Sequence, residues 1–335
     1  MSQTMRAIAY ERTGPAAEVL ALHDLPRPEP GAGEVRVRVA ISGANPSDAK
    51  KRAGAQGAMA DPLVVPHSDG AGVIDAVGAG VDPGRVGQRV WLWNAAWRRA
   101  MGSCAEFVTL PAAQAVALPD AASFEDGACL GIPAMTAHRC VFADGPVRGQ
   151  RVLVTGGAGA VGAYAVQMAK LGGAAQVIAT VSGAEKAAHA RAMGAEAVVN
   201  YREGDTAAAI LQATGGARVD RIVEVEFGGN LEVSRAVLAE NGVIAAYGSM
   251  AVPEPVLPWY PMMFQAFTVR MVLVYALPQA ARQAAIADLT RWLEAGALQH
   301  PVAAVHPLAD TARAHDAVLA GGRIGAMLVR VSDSA

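Results

Sequence analysis

Two textures of apolar and polar positions divide the chain. Residues 34–41 read E-V-R-V-R-V-A-I, an alternation of period two that predicts a half-buried strand. Segments 73–77 and 89–93 predict further short strands, separated by the turn clusters Gly78-Ala79-Gly80 and Asp82-Pro83-Gly84. Short strands punctuated by Gly and Pro predict a barrel-like β domain ahead of Phe124. From Phe124 onward Ala-rich helical stretches take over and lead into a regular alternation. Strands are predicted at 151–155, 176–181, 197–200, 219–225 and 242–247, with helices at 158–171, 184–193, 205–214 and 230–238. Strands and helices at that spacing predict an α/β fold with a doubly wound parallel sheet. Pro253, Pro255, Pro258 and Pro261 break the pattern. Beyond them come a predicted sixth strand at 269–274, a helix at 279–294, a strand near 302–305, another helix and a last strand at 326–331.

The length of 335 residues suits two domains of ~150 residues each. Hydrophobic residues make up 53% and charged residues only 17%, against a usual ~25% charged, so the chain buries large cores. The net charge of −2 offers no footprint for a nucleic acid. No apolar run reaches the ~18 residues of a membrane span, since Arg270 and the prolines cut the best candidate. Arg6, Glu11 and Arg12 stand where a signal peptide would be apolar, which leads us to expect a cytoplasmic protein. Cys104, Cys129 and Cys140 are too few and too scattered for a disulfide framework or a four-Cys zinc lobe.

One segment carries recognisable chemistry. The predicted strand 151–155 runs into Gly156-Gly157-Ala158-Gly159-Ala160-Val161-Gly162 and then a long apolar helix. Gly157, Gly159 and Gly162 satisfy G-x-G-x-x-G; small residues let the backbone approach a pyrophosphate, and the helix N-terminus offers free N–H groups. A lone match is weak, and Gly70-Ala71-Gly72 begins a similar run in the wrong context. At 157–162 the context is right, so a dinucleotide site is expected there. NAD sites place an acid at the end of the second strand, on the ribose 2′-hydroxyl. Here that end reads Thr180-Val181-Ser182-Gly183-Ala184, with no acid. Ser182 and Lys186 stand where a 2′-phosphate would sit, and Tyr201 follows the third strand with a ring able to cover adenine. These residues favour NADPH over NADH.

Several longer stretches, in order, resemble the zinc-free medium-chain quinone oxidoreductases related to zeta-crystallin. They are Gly43-Ala44-Asn45-Pro46-Ser47-Asp48, Pro66-His67-Ser68-Asp69-Gly70-Ala71-Gly72-Val73-Ile74, Val86-Gly87-Gln88-Arg89-Val90, Gly131-Ile132-Pro133-Ala134-Met135-Thr136-Ala137, the glycine segment and Asn200-Tyr201-Arg202-Glu203. The resemblance implies a GroES-like β-barrel substrate domain at 1–123, completed by 275–335, and a Rossmann NADP(H)-binding domain at 124–274. It implies NADPH-dependent reduction of a quinone, or of an enone, alkenal or enoyl thioester; a non-catalytic, crystallin-like NADPH-binding protein is the rival. It also implies a homodimer made by pairing the outer strands of two parallel sheets.

The same resemblance distributes roles. Asn45 and Thr136 would flank the nicotinamide. Gly228 follows the fourth strand, Tyr247, Gly248 and Ser249 end the fifth, and Leu273, Val274 and Tyr275 end the sixth, all on the cofactor side. Arg323, in Gly322-Arg323-Ile324-Gly325, lies in a closing segment that reaches the cofactor edge. Zinc-dependent cousins need a Cys and a His where this chain has Asn45 and Ser68, so no metal is expected. His67, one residue before the His place, reads as a packing or hydrogen-bonding residue.

Three departures stand out. Lys50 replaces an aromatic hydroxyl and either meets substrate or points to solvent. Glu224-Val225-Glu226-Phe227 stands where many relatives carry Asp-x-Val-Gly. Trp91, Trp93 and Trp97 crowd a segment that is usually small; Trp93 and Asn94 are expected to line the substrate pocket, with core packing as the other reading.

Overall fold

The computed structural model describes residues 4–55 and 57–332. The chain divides into two compact units, one running up to Ile132 and resuming at Ile286, the other spanning Pro133–Ala285. Both changeovers fall later than the texture of the sequence suggests. The short helix after Phe124 packs on the first unit's sheet, where a Cβ at Gly127 would lie 2.9 Å from Ala71 Cβ. The return crossing falls inside a single helix.

In chain order the first unit opens with β1 (Thr4–Ala9), α1 (Ala16–Val19) and β2 (Ala21–Pro26), then β3 (Glu34–Ala44), α2 (Pro46–Arg52) and β4 (Asp69–Val77). There follow β5 (Arg89–Leu92), β6 (Phe107–Pro111), β7 (Ala115–Ala117) and α3 (Phe124–Gly127). The second unit holds α4 (Met135–Phe142), β8 (Arg151–Val154), α5 (Ala160–Leu171), β9 (Gln176–Val181), α6 (Ala184–Ala192) and β10 (Ala197–Asn200). It continues with α7 (Thr206–Ala213), β11 (Val219–Glu224), α8 (Leu231–Val237), β12 (Leu238–Ala246), α9 (Trp259–Met263) and β13 (Thr268–Met271). After α10 (Gln279–Glu294) the chain closes the first unit with β14 (Val302–Pro307), α11 (Thr311–Ala320) and β15 (Ala326–Arg330).

The first unit is built on a seven-stranded sheet in the order β14-β15-β3-β4-β5-β7, with β6 on β3, beside the hairpin β1-β2. The alternation in β3 buries Val35, Val37 and Val39 completely, each worth roughly 1.5–3 kcal/mol. Its polar face is covered too: Arg36 is buried and donates to both Asp75 oxygens at 2.9 and 3.1 Å. β4 begins earlier than its apolar run, because Gly70-Ala71-Gly72 is strand paired with β3. A Cβ at Gly72 would collide with the Arg38 carbonyl, which explains that glycine without any ligand.

The second unit is a six-stranded parallel sheet in the order β10-β9-β8-β11-β12-β13, flanked by helices. Leu153, Ile178, Ile222, Ile244 and Phe227 form its core on one side. The sixth strand is shorter than its apolar run at 269–274. β12 ends at Ala246, whose carbonyl takes the Val272 N–H at 2.7 Å, so the chain then runs out of partner. Leu273 is exposed, and Val274 starts a turn of 3-10 helix. Among the described residues, no helix is long and apolar enough to cross a membrane.

Candidate cofactor cradle and active-site residues

The cradle sits where β8 meets α5. Thr155 follows the strand, with its N–H on Val223 O at 3.0 Å, and Gly156 turns the chain at φ +65°. The next glycines are required by close approach. A Cβ at Gly157 would lie 2.6 Å from Ala179 Cβ, and one at Gly162 would strike the Gly156 carbonyl. Gly159 caps α5, a twelve-residue helix buried from Gly162 to Ala169. Ala158, Ala160 and Val161 complete the run. Backbone N–H groups at a helix N-terminus can take an anion such as a pyrophosphate.

On the β9–β10 side, Lys186 Nζ donates to Ser182 Oγ at 2.8 Å. The Tyr201 N–H donates to Val181 O at 3.0 Å, which brings the half-exposed Tyr201 beside the end of β9. The three residues expected around a 2′-phosphate therefore share one rim. On the β11–β12 side, the Tyr247 N–H reaches Glu224 O at 3.0 Å, the Phe227 N–H reaches Gly248 O at 2.8 Å, and the Gly228 N–H reaches Ser249 Oγ at 2.9 Å. Gly228, Tyr247, Gly248 and Ser249 thus gather at the carboxyl ends of the strands. Leu273, Val274 and Tyr275 follow β13, and the Tyr275 carbonyl accepts from Arg282. Thr136 is buried in the first turn of α4.

Sequence reasoning flagged Glu224 as a departure and gave it no role. It is completely buried. Its Oε1 accepts from Thr155 Oγ1 at 2.8 Å, Asn230 Nδ2 at 2.9 Å and the Glu226 N–H at 2.7 Å. Burial still raises its carboxyl above the usual range, since desolvation outweighs those bonds. Glu224 ties the strand that feeds the cradle to the loop beyond β11.

In the first unit, Asn45 caps α2. The Asp48 N–H donates to the Asn45 carbonyl at 3.0 Å, while Asp48 Oδ2 accepts from the Asn45 N–H at 2.9 Å. Asn45 Nδ2 donates to Asp69 Oδ2 at 2.8 Å, and the Ile132 N–H donates to the same oxygen at 3.0 Å. Burial pushes the Asp48 carboxyl up to about 7 and the Asp69 carboxyl well above its usual range. Neither acid drew attention in the sequence beyond its place in a longer motif. Lys50 lies half-buried on the same short helix.

A second polar chain runs behind these acids. His67 occupies a left-handed backbone position, φ +78°, where the resemblance expects Gly. Its Nε2 lies 2.9 Å from His315 Nε2 and its Nδ1 lies 2.8 Å from Ser42 Oγ, so both ring nitrogens have hydrogen-bond partners. Ser42 Oγ meets Ser103 Oγ at 2.8 Å, and Ser103 donates to the Asp69 carbonyl at 2.5 Å. Burial pushes the His67 imidazole well below its usual value and His315 down to about 3, leaving both neutral. His315 had no signal in the sequence.

Trp91 and Trp93 are both buried, as is Leu92 between them, so both faces of that strand end are covered. Asn94 is buried at φ +55°, and the Ala95 N–H donates to Ser68 O at 3.0 Å. The Trp segment is thereby tied to the Ser68 loop. Arg323 folds back to donate to Val318 O at 2.9 Å, closing the end of α11.

The family model for an alcohol dehydrogenase GroES-like domain matches residues 31–120, and that for a zinc-binding dehydrogenase matches 160–291. The quinone oxidoreductase of Rattus norvegicus is 30% identical over 329 residues, 97% of each chain. A solved NAD-dependent alcohol dehydrogenase superposes with a TM-score of 0.88 at 29% identity, over 98% of this chain and 100% of that one. A mycobacterial protein solved in complex with NADPH superposes with a TM-score of 0.85 at 30% identity, over 97% and 99%.

Proposed function

The chain belongs to the medium-chain dehydrogenase/reductase family, beside the quinone oxidoreductases, and we propose that it is an NADPH-dependent, metal-free reductase of quinones and similarly conjugated acceptors. Membership makes it an oxidoreductase with a GroES-like first unit and a Rossmann-like second unit. The finer reading rests chiefly on Asn45. At the Cys place of the zinc-dependent cousins stands an amide whose nitrogen is committed to Asp69. Ser68 stands at the His place. Among the described residues, no three His, Cys, Asp or Glu side chains are grouped to hold a metal ion. These residues do not fit zinc. A Lewis acid favours reduction of a simple ketone by polarising its carbonyl, whereas a quinone or enone stabilises the developing anion through its own conjugation.

NADPH fits the residues of the second unit. The cradle glycines admit a pyrophosphate, and Ser182, Lys186 and Tyr201 offer a hydroxyl, an ammonium and a ring for the adenosine end. Bound NADPH supplies the hydride. The chain's own part is to hold and orient: Gly228, Tyr247, Gly248 and Ser249 at the rim, with Thr136, Leu273, Val274, Tyr275 and Arg323 as further cofactor candidates. Asn45, Lys50, Trp93 and Asn94 are the candidates for placing the acceptor.

A second copy of the chain is part of the reading. Among the described residues, β13 is the outer strand of its sheet and pairs with β12 alone. Met271 on it is 81% exposed, and Trp259 and Phe264 nearby in sequence are 67% and 72% exposed. An open, apolar strand edge of this kind is one that proteins cover.

The test is oxidation of NADPH against naphthoquinones, phenanthrenequinone and a panel of enones. Turnover led by the quinones is expected. Faster turnover of enones moves the chain to the enone class, and tight NADPH binding without turnover of any acceptor overturns the catalytic reading.

A further inference from the structure

Two loops leave the carboxyl ends of β11 and β12, and one carboxylate joins them. Glu226 Oε2 accepts from the Met250 N–H at 2.6 Å, and Oε1 accepts from the Ala251 N–H at 3.0 Å. Ser249 Oγ adds a second fastening: it accepts from the Gly228 N–H at 2.9 Å and donates to Val252 O at 2.5 Å. The fit leaves no spare room. A Cβ at Gly228 would strike the Val252 carbonyl and lie 2.8 Å from Ser249 Oγ; one at Gly248 would strike the Val225 carbonyl.

The clasp is also wired to the cradle. The Glu226 N–H donates to Glu224 Oε1 at 2.7 Å, the same oxygen that takes Thr155 Oγ1 at 2.8 Å, and Thr155 immediately precedes Gly156. Glu224 is buried and fixed; Glu226 is part-exposed and spans the gap to the Met250 and Ala251 N–H groups. An ionised carboxylate accepting two backbone N–H groups is the stronger kind of hydrogen bond, and it holds a loop that has no sheet partner.

We propose that Glu226 is a positioning residue that clasps the 248–252 loop onto the loop after β11 and so keeps the rim of the cofactor groove in its binding shape. This rests on the NADPH reading. In a doubly wound sheet the two halves of a dinucleotide lie on opposite sides of the first strand. Lys186 and Ser182 follow β9 on one side of β8, and the Glu226 clasp follows β11 on the other. The clasp therefore acts on the half that NADPH and NADH have in common. Its loss makes the binding-competent rim a fraction of the population, and apparent affinity falls by that fraction.

The experiment compares the unmodified protein with Glu226→Ala and Glu226→Gln. Amide hydrogen exchange is followed in the nucleotide-free proteins, and NADPH and NADH are titrated by fluorescence. In Glu226→Ala the Met250 and Ala251 amides are expected to exchange faster. Both nucleotides should bind on the order of tenfold more weakly, by the same factor, so that the preference between them is kept. Glu226→Gln keeps one acceptor oxygen and should fall between. Unchanged exchange at Met250 and Ala251 overturns the clasp. Faster exchange with unchanged nucleotide affinities overturns the positioning role. If the unmodified protein binds neither nucleotide, the cofactor reading itself fails and takes the positioning role with it, while the exchange data still report separately on the clasp.

Discussion

Replacing Lys186 by Ala tests the most residue-specific part of the cofactor reading. Lys186 is the third residue of α6, and its ammonium is held 2.8 Å from Ser182 Oγ at the end of β9. The pair is thus ordered before any ligand arrives, so little side-chain freedom is lost on binding. An adenosine 2′-phosphate placed against it gains charge-assisted hydrogen bonds worth roughly 1.5–3 kcal/mol. At 1.4 kcal/mol per decade that is ~10–150-fold in Kd. Both side chains are only part-buried, so solvent and salt screen the charge and the lower end of that range applies at physiological ionic strength. NADPH should bind the unmodified protein at least about tenfold tighter than NADH at low salt. Lys186→Ala should close most of that gap by weakening NADPH, with NADH nearly untouched. Fluorescence titration of both nucleotides at two salt concentrations measures it. Equal affinities in the unmodified protein would refute the reasoning, as would a loss shared equally by NADH.

Burial raises the Asp48 carboxyl to about 7, so the folded chain keeps a proton that the unfolded chain releases near ~3.9. Stability is then lost as pH rises from about 4 to about 7, by up to about 4 kcal/mol, and Asp48→Asn should raise Tm at pH ~8 but not at pH ~4. His315 runs the other way: held neutral down to about 3, it contributes stability above the usual ~6.5 that is lost as pH falls toward 3. His315→Gln should flatten that acid limb in thermal melts; an unchanged limb would count against the buried pair. Trp93→Ala should raise KM for bulky quinones more than for small ones, with NADPH affinity unchanged; equal losses for all acceptors with a lower Tm would make Trp93 core. Metal analysis should find no stoichiometric zinc, and chelators should leave turnover intact; a zinc lost together with activity would reverse that reading. Light scattering should give a dimer that Met271→Lys weakens, and a monomer at micromolar concentration would remove the second copy.

The second unit was the more legible half. Its strands and helices follow a period that switches between two and 3.6 with glycine turns between, and each expected element is present within a residue or two, apart from β12, which starts at Leu238 ahead of the expected 242, and the shortened sixth strand. The first unit hid more. The β1-β2 hairpin has weak alternation, and β6 and β7 are too short to stand out, because their stability comes from partners distant in sequence. Gly70-Ala71-Gly72 imitated a phosphate loop while serving as strand. The glycines between β8 and α5 were readable because close approaches at Gly157 and Gly162 leave no room for a Cβ. Glu226 was not, since nothing local says that a carboxylate after β11 will meet N–H groups at 250 and 251.

The polar interior of the first unit follows a common logic with that hidden clasp. In zinc-dependent cousins, ligands from separate segments are drawn together by one metal ion. Here the equivalent segments are joined by hydrogen bonds: Asn45 of α2 to Asp69 of β4, Asp69 through its carbonyl to Ser103, Ser103 to Ser42 of β3, Ser42 to His67, and His67 to His315 of α11. The last link matters most, because it fastens the returning C-terminal helix to the loop that carries Ser68. Such a network is worth having only if its members are satisfied, since each unpaired buried polar atom costs about 1–3 kcal/mol. Two atoms fall short, Asp69 Oδ1 and His315 Nδ1, both buried without a partner. Desolvation favours the uncharged carboxyl and the uncharged imidazole, the forms that leave the smallest charge unpaired there. The raised Asp69 and lowered His315 values share one cause: burial strips water from both groups and so favours the uncharged form of each.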